Sequence, residues 1–363
     1  MTEEQKRIAA QSVIYLAGCA VKGETPDPGK ITNIDDIFAV TSEHKIAAAV
    51  AIALERAGLQ DARTTGAIAY ALKKRLLFEQ EYARIKAGLE AAGIWYMPLK
   101  GAVLQSFYPL PGMREFADYD ILIDKERSGD VKNIMESLGF TTESYNSTHH
   151  DVYIKPPVLN FEIHTALFEP EIENTAIYEY YQDVQKRLTG ASFEKQFTPE
   201  DFYLYMLSHE YKHYQNKGTG LRSLLDTYVF LKKQSLDWDY IKEETEKLGL
   251  SDFEKANRSL ACHLFDEEEL TDAEQKMLGY IISSGAFGTI EHRVENQITK
   301  KGSRRRYFLS RLTLPYDIML QCYPILKKCP LLYPFCWTHR IVRAFFTNRK
   351  IFMAQVRGAL GLK

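Results

Sequence analysis

Apolar residues recur at helical spacing over most of the chain and at strand spacing in one short stretch. Residues 1–92 read as helical: Lys45 to Ala57 and Thr65 to Ala92 carry Ala, Leu, Glu and Lys, with apolar positions three and four apart and no proline. Gly23, Pro26, Pro28 and Gly29 break the chain between Lys22 and Lys30. The texture changes at Gly93. Ile94 to Met97 reads as a strand ended by Pro98, and Gly101 to Tyr108 as a short helix stopped by Pro109 and Pro111. Asp118 to Asp124 alternates as a strand does, and Lys125 to Leu138 is an amphipathic helix closed by Gly139. Phe140 to Tyr145, Asp151 to Ile154 and Leu159 to Leu167 are further strand candidates. Helices return from Glu171, among them Pro199 to Asn216, Gly220 to Lys233 and Trp238 to Leu248. The pattern predicts an α+β chain: a helical region over 1–92, a small mixed-sheet core over 93–170, and a helical region over 171–363.

The strand over Asp118-Tyr119-Asp120-Ile121-Leu122-Ile123-Asp124 carries the candidate chemistry. Alternation puts Asp118 and Asp120 on one face and Tyr119, Ile121 and Ile123 on the other, with the two acids roughly 6.6 Å apart along the strand. Aspartate is disfavoured in strands, and like charges on one face repel unless a cation or hydrogen bonds offset them. A solvated edge strand is the plain alternative. In Asn160-Phe161-Glu162-Ile163-His164-Thr165, Glu162 and His164 alternate with Phe161 and Ile163, so a neighbouring strand would bring a third carboxylate. Three carboxylates suit a two-metal site taking magnesium or manganese. His164 is then either a group behind the metal ligands that orients one of them or a satisfied core histidine. If Asp118 and Asp120 repel in the metal-free chain, Asp120→Asn should raise its stability. Upstream, Lys100 and Gly101 lie at a strand-to-helix turn, where glycine admits close approach and helix-start N–H groups attract phosphate. Arg114 is expected either to grip a triphosphate or to pair with Glu115 or Asp118.

The run PLKGAVLQSFYP, then GMREFADYDILI, then NFEIHTAL resembles an uncharacterised bacterial nucleotidyltransferase family of the superfamily typified by DNA polymerase beta. Lys100, Gly101, Tyr108, Pro109, Gly112, Arg114, Asp118, Asp120, Glu162 and His164 match its pattern. The segment from Leu207 to His213 and that from Leu221 to Asp226 resemble its helical half. Two departures stand out: Gly101-Ala102 replaces the usual Gly-Ser or Gly-Gly, and Glu162 stands where Asp is usual. The resemblance implies a nucleotidyltransferase core between helical regions. It implies transfer of a nucleoside monophosphate from a triphosphate such as ATP, with Asp118, Asp120 and Glu162 catalytic and metal-binding. Lys100, Gly101 and Arg114 would bind nucleotide. The acceptor stays open among protein, RNA and small molecule.

Two other readings compete. His209-Glu210-Tyr211-Lys212-His213 fits the H-E-x-x-H pattern of zinc hydrolases, but Lys212 would set a cation beside the metal and no third ligand follows nearby. His209 is otherwise a helix-packing residue or a second-shell lining of the nucleotide cleft. The alternative from another class is an inactive nucleotidyltransferase-fold binding module. Charge bears on partners: the net charge of -2 divides into near +12 from Lys301 onward and near -14 before it. That asymmetry fits an RNA, phosphate or membrane surface, and equally a basic region packed on an acidic neighbour. Cys322, Cys329 and Cys336 recur among prolines and read as small buried hydrophobes, and five cysteines in a long chain do not make a disulfide framework. The start, MTEEQKR, lacks a secretory pattern, and no apolar run approaches the ~20 residues of a membrane helix. The expectation is a cytoplasmic protein.

Overall fold

The structure is a computed structural model that describes residues 1–169, 175–313 and 323–347, with 316, 319, 320, 349, 353 and 357. The expectations on 170–174, Pro315, Asp317, Cys322, Lys350 and Lys363 lie outside the described residues. Two compact units emerge, one of residues 1–211 with 220–282, the other of 212–219 with 283–363.

The first unit opens with four helices, α1 (Glu3–Lys22), α2 (Ile34–His44), α3 (Ala47–Arg56) and α4 (Ala62–Ala91). Thr2 caps α1 through a reciprocal bond with Gln5, Asn33 caps α2, and Asp61 caps α4. Glycine in the left-handed region ends α1 at Gly23. Strand β1 (Tyr96–Pro98) leads into a four-residue helix, α5 (Gly101–Leu104). Then come β2 (Tyr119–Ile123), α6 (Ser128–Ser137), β3 (Thr141–Ser144), β4 (His150–Lys155) and β5 (Leu159–His164). Pro98 is the last residue of β1, which its place at the sheet edge allows, and the strand begins at Tyr96 rather than Ile94.

The sheet is mixed, in the order β1-β2-β5-β4-β3. Within this sheet β2 and β5 pair in parallel, and β1 with β2, β3 with β4 and β4 with β5 pair antiparallel. One face is apolar throughout: Tyr119, Ile121, Ile123, Phe161, Ile163 and Tyr153 pack with Phe78, Ile85 and Leu89 of α4 and Val131 and Met135 of α6. Phe78, Phe116, Tyr119 and Phe161 stack there with ring centroids 5.2 to 5.8 Å apart. On the other face Met97 and Leu122 join a second core with α7 (Thr175–Tyr181), α8 (Pro199–Asn216) and α9 (Leu221–Lys233). Helices α10 (Trp238–Leu248) and α11 (Ser251–Phe265) complete that layer, and α12 (Asp272–Ser284) follows. This is the α+β arrangement the pattern predicts, a small mixed sheet between helical regions.

In the second unit, α13 (Ile290–Lys301) and α14 (Arg304–Leu312) are followed by α15 (Tyr333–Thr347), with a small core of Met319, Leu326 and Cys336. Lys301, Arg304, Arg305 and Arg306 are exposed. No helix among the described residues is long and apolar enough to cross a membrane.

Candidate active site

The second sheet face carries the polar residues. Parallel pairing sets Asp120 directly opposite Glu162 and Leu122 opposite His164. Because side chains alternate, Asp120, Glu162 and His164 share that face while their neighbours enter the apolar core. Asp118 precedes β2 by one residue and is half-buried; Asp120 is 2% exposed. The segment entering β2 is held from α4, where Lys74 Nζ donates to Phe116 O at 2.8 Å.

Lys100 Nζ donates to Asp120 Oδ1 at 2.8 Å, and His164 Nε2 lies 2.8 Å from the same oxygen. Lys100 makes this contact from a left-handed backbone (φ 45°, ψ -115°) that a side chain rarely adopts. Such a conformation persists only where its surroundings enforce it. Burial alone would raise the pKa of Asp120, but Lys100 and His164 overcome it and hold the carboxyl well below the usual carboxylate range. Burial also pulls Lys100 down, and Asp120 more than restores it, so the ammonium is stabilised. The carboxylate conflict therefore falls on the other two acids. Burial and Asp120 raise Asp118 against the pull of Lys100, Arg222 and Arg114. Burial, Asp120 and Asp118 push Glu162 up to about 7. Burial lowers His164 to about 4, so its ring is neutral near pH 7.

Asp118 and Asp120 do repel, but this arrangement reverses the sign expected for Asp120→Asn. Asp120 has two partners, and its removal would strip the Lys100 ammonium of its hydrogen-bonded counter-charge and leave only the more distant pull of Asp118, so stability is expected to fall rather than rise.

Arg114, expected at a triphosphate or on Glu115 or Asp118, is bound to another residue. Its Nε and Nη2 each donate to Asp226 of α9 at 2.8 Å, and Tyr108 Oη donates to Asp226 Oδ1 at 2.7 Å. Glu115 instead accepts from the Ala48 N–H at the start of α3. The guanidinium lies against Gly101. A Cβ built there would stand 3.1 Å from Arg114 Cζ and well inside contact distance of Nη1. Gly112, at φ 81°, is equally constrained, since a Cβ would meet the α4 backbone at Leu72 N at 3.0 Å. The Ala102 and Val103 N–H groups, at the start of α5, already donate to Leu99 O and Lys100 O.

His209 lies on α8 one turn from Tyr205, their rings 6.3 Å apart. Tyr205 was not foreseen from the sequence. It is 1% exposed, its hydroxyl has no hydrogen bond, and burial outweighs Lys100 to raise its pKa, with Asp120, Glu162 and Asp118 adding to the rise. Arg222, also unforeseen, makes a long 3.5 Å contact to Glu115 O, and burial lowers its pKa, as does Arg114. Tyr205 sits four residues from His209 at helical spacing, and that register was the available signal. Among the described residues, two groups could hold a metal ion: Asp120, Glu162 and His164, and His149, His150 and His164. Neither contains His209 or His213. Glu210, the third element of the zinc pattern, is buried and accepts from Asn257 Nδ2 at 2.9 Å.

The model of a family described as uncharacterised nucleotidyltransferase matches residues 31–266. No match is found among the curated proteins. Among solved structures, the chain is similar to an antigenic nucleotidyltransferase-like protein from Paracoccidioides brasiliensis. The two share 14% identity over 53% of this chain and 94% of that one, with a TM-score of 0.34.

Proposed function

Since this chain belongs to the uncharacterised nucleotidyltransferase family, we propose that it transfers a nucleoside monophosphate from a nucleoside triphosphate to an acceptor at the face bearing Asp118, Asp120 and Glu162. The observation that supports this most is the parallel register of Asp120 with Glu162, which sets two carboxylates abreast. The donors fit a hard cation: Asp118 and Glu162 are both held above their ordinary pKa by burial and by neighbouring acids, a conflict a divalent ion relieves. Asp118, Asp120 and Glu162 would hold magnesium or manganese, which when bound supplies charge for the attacking and leaving oxygens of a phosphoryl displacement.

The chain's own residues do the rest. Lys100 pairs with Asp120 before nucleotide arrives and would be available to the triphosphate once a metal ion takes over Asp120. Neutral His164 fixes the Asp120 carboxylate through Nε2. Gly101 makes room for Arg114, and the Arg114–Asp226 pair ties the Lys100 turn to α9, so Arg114 serves as a positioning residue.

The test is a screen of the purified chain with each labelled nucleoside triphosphate and magnesium or manganese, for self-labelling or transfer into cell extract, run beside Asp120→Asn. Transfer by the natural chain and none by the variant supports the reading; no transfer from any nucleotide sinks it. One observation favours a second reading, a fold that binds nucleotide without transfer: both Lys100 and Arg114 are already ion-paired within the chain. Nucleotide-dependent thermal stabilisation without product would favour it. An anionic partner at the exposed basic stretch near Arg304 is tested separately, because such binding weakens steeply with salt.

A further inference from the structure

We propose that His149, His150 and His164 form a site for one borderline divalent transition ion, of the zinc and cobalt class, beside the carboxylate pair. One ring nitrogen from each lies within 4.8 Å of the other two. The rings touch one another, with centroids 4.7 Å apart for His149 and His150, 5.2 Å for His150 and His164, and 5.6 Å for His149 and His164.

The sheet builds this cluster. His150 opens β4 and is the cross-strand partner of His164, which closes β5. Alternation along β4 would send residue 149 to the opposite face, but His149 precedes the strand. Its carbonyl accepts the Thr165 N–H at 2.9 Å and the Thr165 hydroxyl at 3.2 Å, and its ring turns to the other two.

Two of the rings also have a carboxylate oxygen close by: His149 Nδ1 lies 3.1 Å from Glu169 Oε1 and His164 Nε2 2.8 Å from Asp120 Oδ1, while His150 Nε2 is 3.8 Å from Glu162 Oε2, too far for a hydrogen bond. Carboxylates in that relation orient histidines that ligate metal. With Nε2 on Asp120, the Nδ1 of His164 is buried and makes no hydrogen bond. A neutral imidazole so arranged offers a lone pair inside the protein. Three imidazoles suit zinc or cobalt and are poor ligands for magnesium. In a tetrahedral site with metal–nitrogen bonds near 2.0 Å, ligand nitrogens sit roughly 3.3 Å apart, so small ring rotations close the cluster. An ion here would pin the start of β4 to the end of β5, two residues beyond Glu162. The inference stands on the histidines and not on nucleotide transfer.

The experiment is titration of the chelator-treated full chain with cobalt(II) chloride, followed by visible absorption and by thermal unfolding. The expected result is one saturable equivalent with the intense band of tetrahedral cobalt, a raised Tm, and no displacement by excess magnesium. His149→Ala/His150→Ala should weaken binding by about 100-fold or more, and His150→Gln serves if that pair fails to fold. Glu162→Gln should still bind cobalt. The proposal is overturned if the folded natural chain binds no cobalt, or if magnesium displaces it. It is equally overturned if Glu162→Gln abolishes binding while the histidine variants keep it, or if only His213→Ala removes it. Transfer assays on the same samples separate this outcome from failure of the nucleotidyltransferase reading.

Discussion

Gly101→Ala is the substitution whose expected sign most depends on tertiary structure. Alanine at a helix start ordinarily stabilises by about 0.5–1 kcal/mol, by restricting the unfolded chain and favouring the helix. Here the added Cβ would stand 3.1 Å from Arg114 Cζ and 3.4 Å from Nη2, closer still to Nη1. Carbon and nitrogen atoms want about 3.5 Å or more, so the guanidinium must move by several tenths of an ångström at least. It is not a loose end: two 2.8 Å bonds tie it to Asp226, and both side chains are under a tenth exposed. Disrupting a buried pair costs about 3–5 kcal/mol. Set against the ordinary gain, the net expectation is a loss of about 2–4 kcal/mol. Urea unfolding of the natural chain and of Gly101→Ala measures it, and the pair repeated in an Arg114→Ala/Asp226→Asn background isolates the cause. There the substitution should be neutral or slightly stabilising. A harmless Gly101→Ala in the natural chain, or an equal loss in both backgrounds, refutes the reasoning.

Asp120→Asn should abolish transfer and lower the stability of the metal-free protein, because Lys100 loses its buried partner; near-normal transfer would remove Asp120 from the site. Glu162→Gln should act in the opposite direction. A folded pKa of about 7 against 4.5 means the natural chain loses stability as pH rises between those values, by on the order of 3 kcal/mol. With chelator present, the variant should match the natural chain near pH 4.5 and exceed it by that amount at pH 8, read by urea unfolding at both; a constant difference contradicts the assignment. Asp226→Asn should cost about 3 kcal/mol or more in the same assay, since it strands Arg114, whereas replacing both by a matched apolar pair should cost less.

What the sequence disclosed follows the range of each signal. The alternation placing Asp120 and Glu162 on one face is local, a period of two, and survives any tertiary context. The helices from Pro199 to Asn216 and from Trp238 to Leu248 were legible for the same reason, with bounds matching the observed ones. The partner of Arg114 was not legible. Asp226 lies 112 residues away on a helix whose own pattern says only that its face is buried. The expected sign of Asp120→Asn changes between sequence and structure because repulsion within one strand is visible in a sequence, while a lysine 20 residues upstream bending back through a left-handed turn is not. His149 and His150 escaped notice because the strand was expected to begin at Asp151; one more residue of pairing brings His150 opposite His164.

The parallel register of β2 and β5 also limits how this chain can change length over evolution. Asp120 and Glu162 are abreast, and their apolar neighbours fill the opposite core. One residue inserted or deleted within either strand would turn a carboxylate into the aromatic layer around Phe78 and an isoleucine out to the polar face. Such a change would fail as a fold before it failed as a site. The segments that can absorb length are the turns, such as the one from Tyr145 to Thr148 between β3 and β4, where added residues leave both strands in register. Homologues should therefore vary in length at those turns while keeping the 42-residue interval from Asp120 to Glu162 adjustable only there.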